Sequence, residues 1–182
     1  MRFGLINKKD VVESEVKMIN LFRFLSARLI MFSIFFISQL VYAQTYNDAA
    51  GFSLTCMAKN LQTNQIVPVV GTNGNANGHW GFATYAANGW PVMIFDANQL
   101  SMMHPIMARF TYYHECAHLS VPTWDEVRAS CIGLKNMRKA GHVSQNEEEI
   151  IGEITKSVGP LPPKYLGSGA ALWKATLQCA NN

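Results

Sequence analysis

Between Pro105 and Leu119 the apolar positions Ile106, Phe110, Tyr113 and Ala117 recur at three-to-four spacing, and Pro105 suits a first turn, so a helix is predicted there. Ser120-Val121-Pro122 ends it. A second helix is expected from Thr123 through Val127, Cys131 and Leu134 to about Ala140, stopped by Gly141. A third runs from Glu147 to Ser157 after Ser144, and a short terminal helix from Ala170 to Cys179 follows the proline-rich stretch Gly159 to Gly169.

Upstream, the period shortens. Phe52 to Lys59 and Gln65 to Val70 are short β-rich runs around the polar turn Asn60 to Asn64, and Pro68 places the second near a sheet edge. The Gly- and Asn-dense stretch Gly71 to Gly78 lacks the Lys-Ser/Thr ending of a phosphate loop and is read as a plain mobile turn. His79 to Tyr85 and Trp90 to Phe95 form a second strand pair across Ala86-Ala87-Asn88-Gly89, whose Asn-Gly favours a hairpin. The sum is an α+β fold: a small antiparallel sheet packed on an active-site helix, a ligand helix and C-terminal helices.

Before Gln44 the pattern is different. Arg23 and Arg28 precede an apolar run from Leu29 to Leu40, followed by Val41-Tyr42-Ala43, the basic, apolar and small-residue order of a secretory signal peptide over about residues 18–43. The run is about a dozen residues, short of the roughly 20 needed to span a membrane. Cleavage after Ala43 is expected, leaving one catalytic domain over 44–182 in a periplasmic or secreted protein. Residues 1–17 are mixed in charge, without periodicity, and carry no assigned role.

Charge follows the same division. Six of the fifteen Lys/Arg and three of the twelve Asp/Glu precede Gln44, so the net charge of +3 belongs to the leader. A near-neutral remainder without a basic stripe points away from nucleic acid and anionic membrane, and leaves a protein or peptide as the expected partner of a monomer. All four cysteines, Cys56, Cys116, Cys131 and Cys179, lie beyond Ala43, and an even count in an exported chain suggests two disulfides. Of three possible pairings, Cys116 with Cys131 and Cys56 with Cys179 is the favoured one, on the expectation that the first staples neighbouring helices and the second ties the chain ends.

The chemistry sits in the first helix. Tyr113-His114-Glu115-Cys116-Ala117-His118 contains His-Glu-x-x-His, and histidines four apart on a helix project from one face about one turn apart. Both imidazoles can reach one zinc ion, and Glu115 beside them can act as general base on a water. Cys116 lies on the opposite side of the helix from the histidines, which suits a disulfide or a buried thiol rather than a nucleophile.

This motif resembles that of the zincin metallopeptidases, and Glu126 on the next helix resembles the third ligand of the glutamate-zincin branch in a compact, minimal form. The resemblance covers about Ala108 to Ala140. It implies Zn2+ held by His114, His118 and Glu126, with Glu115 as general base and then acid. It departs from that branch at Ser130, where many relatives carry an aspartate that supports a ligand histidine. Val121 and Trp124 set aside the metzincin branch, which has a glycine and a third histidine there.

Glu126 has a second reading, because Thr123-Trp124-Asp125-Glu126 has the spacing of a capping box. Asp125 and His142 are reserve ligands. His79 and Tyr85 are candidates for substrate binding along an edge strand, with ordinary packing as the alternative. The expected function is metal-activated hydrolysis of peptide bonds. The alternatives are a non-catalytic, zinc-stabilised binding module, motivated by Ser130, and an amidase acting on cell-wall peptides.

Overall fold

The computed structural model describes residues 46–48, 52–76 and 78–182, all within the compact unit Ala43–Asn182. The expected leader, its cleavage point and residues 1–17 lie outside the described residues.

Seven short strands precede five helices among the described residues. β1 (Tyr46–Asn47) pairs antiparallel with β2 (Ser53–Leu54), and β3 (Met57–Lys59) with β4 (Ile66–Pro68). β5 (Val70–Asn73), β6 (Gly81–Tyr85) and β7 (Pro91–Phe95) form a third sheet in the order β5-β7-β6. Both expected hairpins are present. In the β6–β7 turn the Gly89 amide donates to the Ala86 carbonyl and Gly89 takes φ +72°, a conformation that glycine adopts at no steric cost. A Cβ there would also stand 2.8 Å from the Gln62 nitrogen, so the turn packs against the loop of the first hairpin.

Two expectations for this half are corrected. Residues Val70–Asn73 are a strand, not part of a plain turn, and they run parallel to β7 with Val70 opposite Val92 and Asn73 opposite Phe95. The third sheet is therefore mixed rather than purely antiparallel. Glycine and asparagine weaken a strand locally, but here a ladder to a partner some twenty residues away overrides the local preference.

The helices are α1 (Ala97–Met102), α2 (Pro105–Ser120), α3 (Glu126–Lys139), α4 (Gln145–Ser157) and α5 (Gly169–Ala180), with a 3-10 turn at Pro163–Tyr165. α1 was not anticipated; Asp96 caps it by accepting the Gln99 amide at 3.0 Å. α2 is the centre of the molecule, packing on β3, β6 and β7 on one side and on α3 and α4 on the other. Most of its circumference is consequently buried, from Ile106 to Leu119.

α3 lies close against α2 because Gly133 faces it: a Cβ at that position would come within 3.0 Å of the Tyr113 and His114 backbone. Glu126 and Ser130 share that buried face of α3. The helix starts later than expected, with Asp125 as N-cap accepting the Arg128 amide at 3.0 Å. Thr123 instead accepts the Asp125 amide, so the capping-box reading of Glu126 does not hold.

The disulfides are Cys56–Cys116 and Cys131–Cys179, which corrects the favoured pairing. Cys116 does lie away from the histidines, but that side of α2 faces the strand segment carrying Cys56, while Cys131 faces α5. Disulfides of this kind persist in oxidising surroundings. No helix among the described residues is long and apolar enough to cross a membrane.

A buried polar knot pins the strand half to the helices. Arg109 of α2, 2% exposed, donates to Asp48 and to the His142 carbonyl, and its guanidinium lies 3.7 Å from the centroid of the Phe52 ring. The Tyr113 hydroxyl and His142 Nδ1 are 2.8 Å apart beside it.

Candidate metal centre

One turn of α2 separates His114 from His118, and both rings turn towards the N-terminus of α3. His114 Nε2 and His118 Nε2 stand 3.1 Å apart. Glu126 Oε2 lies 3.0 Å from the first and 3.3 Å from the second. These three residues form the metal-competent group among the described residues.

The far side of each ring is also fixed. His118 Nδ1 is 2.7 Å from the Thr123 carbonyl, which can only accept, so Nδ1 carries a proton and Nε2 faces the cluster. His114 Nδ1 is 3.0 Å from Ser130 Oγ. Both Nε2 atoms and a carboxylate oxygen thus converge on one point. Such a group can hold a metal ion.

The donor set fits a zinc ion. Three ligand atoms bonded at about 2.0–2.1 Å in tetrahedral directions stand roughly 3.3 Å from one another. The observed edges of 3.0, 3.1 and 3.3 Å match that triangle. Ser130 and the Thr123 carbonyl supply the outer hydrogen bonds that orient ligand histidines.

Glu126 is held on its other oxygen by Lys164 Nζ, 2.8 Å from Oε1. Burial alone would raise the Glu126 carboxyl, but hydrogen bonds from His114, His118 and Lys164 outweigh it and hold the group far below its ordinary range. His118 moves the other way: burial would lower it, whereas the bonds to Glu126 and Thr123 and the nearby carboxylates raise it.

Glu115 is 8% exposed and does not join the ligand triangle. Burial, the largest influence, raises its carboxyl; the histidines and the Ala83 backbone amide lower it, and Glu126 adds to the rise. Gly81 makes room for it, since a Cβ there would come within 2.9 Å of Glu115 Cγ. β6 therefore forms one wall of the site.

Of the other anticipated residues, His79 is exposed at the mouth of a cavity of about 260 Å³ that His114 and Glu115 also line. Tyr85 lies with His118 in a second cleft, its hydroxyl buried and without a hydrogen-bond partner, and burial raises that hydroxyl's pKa. Neither touches the ligand triangle. Asp125 is the α3 cap, and His142 belongs to the Arg109 knot, so neither reserve ligand is used. Lys164 and Tyr165 were missed: they arrive from a turn 38 and 39 positions beyond Glu126, and nothing local in the sequence marks them.

Compared with known proteins, the chain matches no family model, no curated protein and no solved structure.

Proposed function

We propose that the chain is an exported, zinc-dependent hydrolase of peptide bonds, a compact zincin in which His114, His118 and Glu126 hold the ion and Glu115 moves the proton. The observation that carries this reading is the convergence of His114 Nε2, His118 Nε2 and Glu126 Oε2 within 3.0–3.3 Å, beside a buried carboxylate. A bound zinc ion supplies a Lewis acid and lowers the pKa of its water towards roughly 7.

The chain's own residues do the rest. Glu115, with its carboxyl raised by burial, is suited to take a proton from water and return it to the leaving nitrogen as the amide C–N bond breaks. Ser130 and the Thr123 carbonyl keep the imidazoles turned inward. The free edge of β6 offers backbone groups to an extended peptide. Export is supported by the two disulfides together with the leader pattern.

A zinc-stabilised scaffold without activity would call for a closed set of four ligands. Among the described residues only three ligand groups converge. A cell-wall peptide is one peptide substrate within the proposed reaction, and substrate profiling separates it from general proteolysis.

The test is elemental analysis of the purified protein beside His118→Ala and Glu126→Ala, followed by a peptide-hydrolysis screen. One zinc per chain, lost in both variants, with hydrolysis in the parent alone, is the expected result. A parent that binds no zinc would sink the proposal; zinc retained by Glu126→Ala would remove Glu126 from the ligand set.

A further inference from the structure

The strand half and the helix half differ in charge. From Phe52 to Phe95 the chain carries one charged side chain, Lys59, and no Asp or Glu. Four of the seven large apolar side chains that stand exposed among the described residues, Met57, Leu61, Ile66 and Phe82, fall in that segment. In the β3–β4 hairpin the register sets Met57 opposite Pro68 and Lys59 opposite Ile66, so these four share the outward face, while Ala58 and Val67 bury the other.

Leu61 stands in the turn of that hairpin, 58% exposed, with its amide donating to the Gly89 carbonyl. It also lines the second cleft, of about 250 Å³, together with Tyr85, His118, Pro122 and Trp124. Trp124 is 82% exposed, yet its backbone is held on both sides: Thr123 Oγ1 accepts the Asp125 amide, and Asp125 caps α3. The indole is thus presented from a fixed position, as an anchor for a partner would be. Contiguous apolar surface without charge marks a docking face rather than a solvated one. Its continuity with the metal ligand His118 says what covers it. A polypeptide whose scissile bond lies at the cluster and which leaves on the His118 side meets Leu61, Pro122 and Trp124.

We infer that Leu61, Pro122 and Trp124, continued along the hairpin by Ile66 and Met57, dock an uncharged, apolar stretch of a protein substrate several residues away from the cleaved bond. The assignment rests on the peptide-hydrolase reading. A stretch rich in Asp or Glu would find only Lys59 to pair with on the hairpin and would lose hydration against the apolar side chains.

The experiment uses the oxidised, zinc-loaded protein and three quenched peptides that share one core: the bare core, the core extended at both ends by Leu, Val and Ser, and the same extension with every second residue Glu. The apolar extension should raise kcat/KM about ten- to a hundredfold over the bare core, the worth of burying one large side chain, and the Glu-rich extension should raise it less. Trp124→Ala and Ile66→Glu should each bring the ratio of extended to bare core towards one. Both side chains are exposed, so neither change removes a core contact. Fluorescence anisotropy of the same peptides separates the two readings. Cleavage with no gain from the apolar extension, an equal gain from the Glu-rich one, or a gain that survives in either variant overturns the docking surface and leaves the hydrolase. Tighter binding of the apolar extension that both variants abolish, without any cleavage, keeps the surface and overturns the hydrolase. A dimer seen by light scattering, or sedimentation with phosphatidylcholine vesicles, lost in Trp124→Ala while the extension gives no gain, assigns the face to a second copy or to lipid and overturns the proposal.

Discussion

α2 carries two buried polar clusters less than two turns apart, and they are built on opposite principles. Around Arg109 the charges are complementary: a guanidinium meets the Asp48 carboxylate, the His142 carbonyl, and Glu147 at 3.7 Å. Around His114 two imidazole nitrogens and a carboxylate oxygen point at each other. Burial demands compensation in both places. The first finds it within the chain and so stabilises a fold. The second could be completed by a cation from outside, as the proposed metal centre requires.

That contrast is broken most directly by one substitution in each cluster. Glu115→Gln keeps the shape of a group outside the ligand triangle, so zinc stoichiometry and melting temperature should hold while turnover falls about 10²–10⁴-fold, the usual worth of a general base. Arg109→Met should do the reverse. Taking away one partner of a buried ion pair costs about 3–5 kcal/mol, because Asp48 stays buried without its guanidinium. Denaturant unfolding should register that loss, while the fraction still folded binds one zinc per chain. If Glu115→Gln abolished zinc binding, or Arg109→Met emptied the site in folded molecules, the two clusters would not be separable in function.

How far each cluster could be read from the sequence follows from the range of its contacts. The ligand triangle was legible because His114 and His118 are fixed by helical period and Glu126 begins the very next helix. The β6–β7 hairpin was legible from Asn88-Gly89, and α4 from Ser144 and Glu147. What escaped depends on partners remote in sequence. The strand at Val70–Asn73 exists by pairing with Val92 to Phe95. The disulfide pairing turns on which face of α2 and α3 meets which neighbour, and spacing does not encode that. Ser130 looked like a gap in a familiar pattern, yet its hydroxyl stands 3.0 Å from His114 Nδ1. α1 was the avoidable miss, since Asp96 ahead of Ala97-Asn98-Gln99 is an ordinary cap signal.

Smaller substitutions sharpen the comparison inside the metal centre. Ser130→Ala should weaken zinc by about ten- to a hundredfold in a chelator competition, the usual cost of losing an outer hydrogen bond to a ligand histidine, with little change in the unfolding midpoint of the metal-free protein. Lys164→Met should have an effect below about tenfold, since Lys164 is half exposed and its pair with Glu126 is screened by solvent. The two also differ in salt dependence. The Lys164 effect should shrink as ionic strength rises, whereas the Ser130 effect, a hydrogen bond from a buried hydroxyl to a mostly covered ring, should not.

The smallest expected effect tests the structural cluster from its edge. Ser144 and Glu147 form the capping box of α4, and Glu147 also lies near Arg109. The Ser144 backbone amide and hydroxyl hold the Glu147 carboxyl below its ordinary value against the opposing effect of burial, with Arg109 and His104 adding lesser pulls. Ser144→Ala should cost about 1 kcal/mol. A carboxyl depressed in the folded state contributes stability that is complete above its unfolded value, about 4.3, and is lost as pH falls through the lower folded value. The stability gap between the parent and Glu147→Gln should therefore be present at neutral pH and close in acid below about pH 4. With Glu147 more than a third exposed, that gap stays modest. Measured on the metal-free protein by denaturant unfolding at each pH, it isolates the Arg109 side of α2 from the ligand side; a gap that persisted far into acid would mean that Glu147 acts by packing rather than by charge.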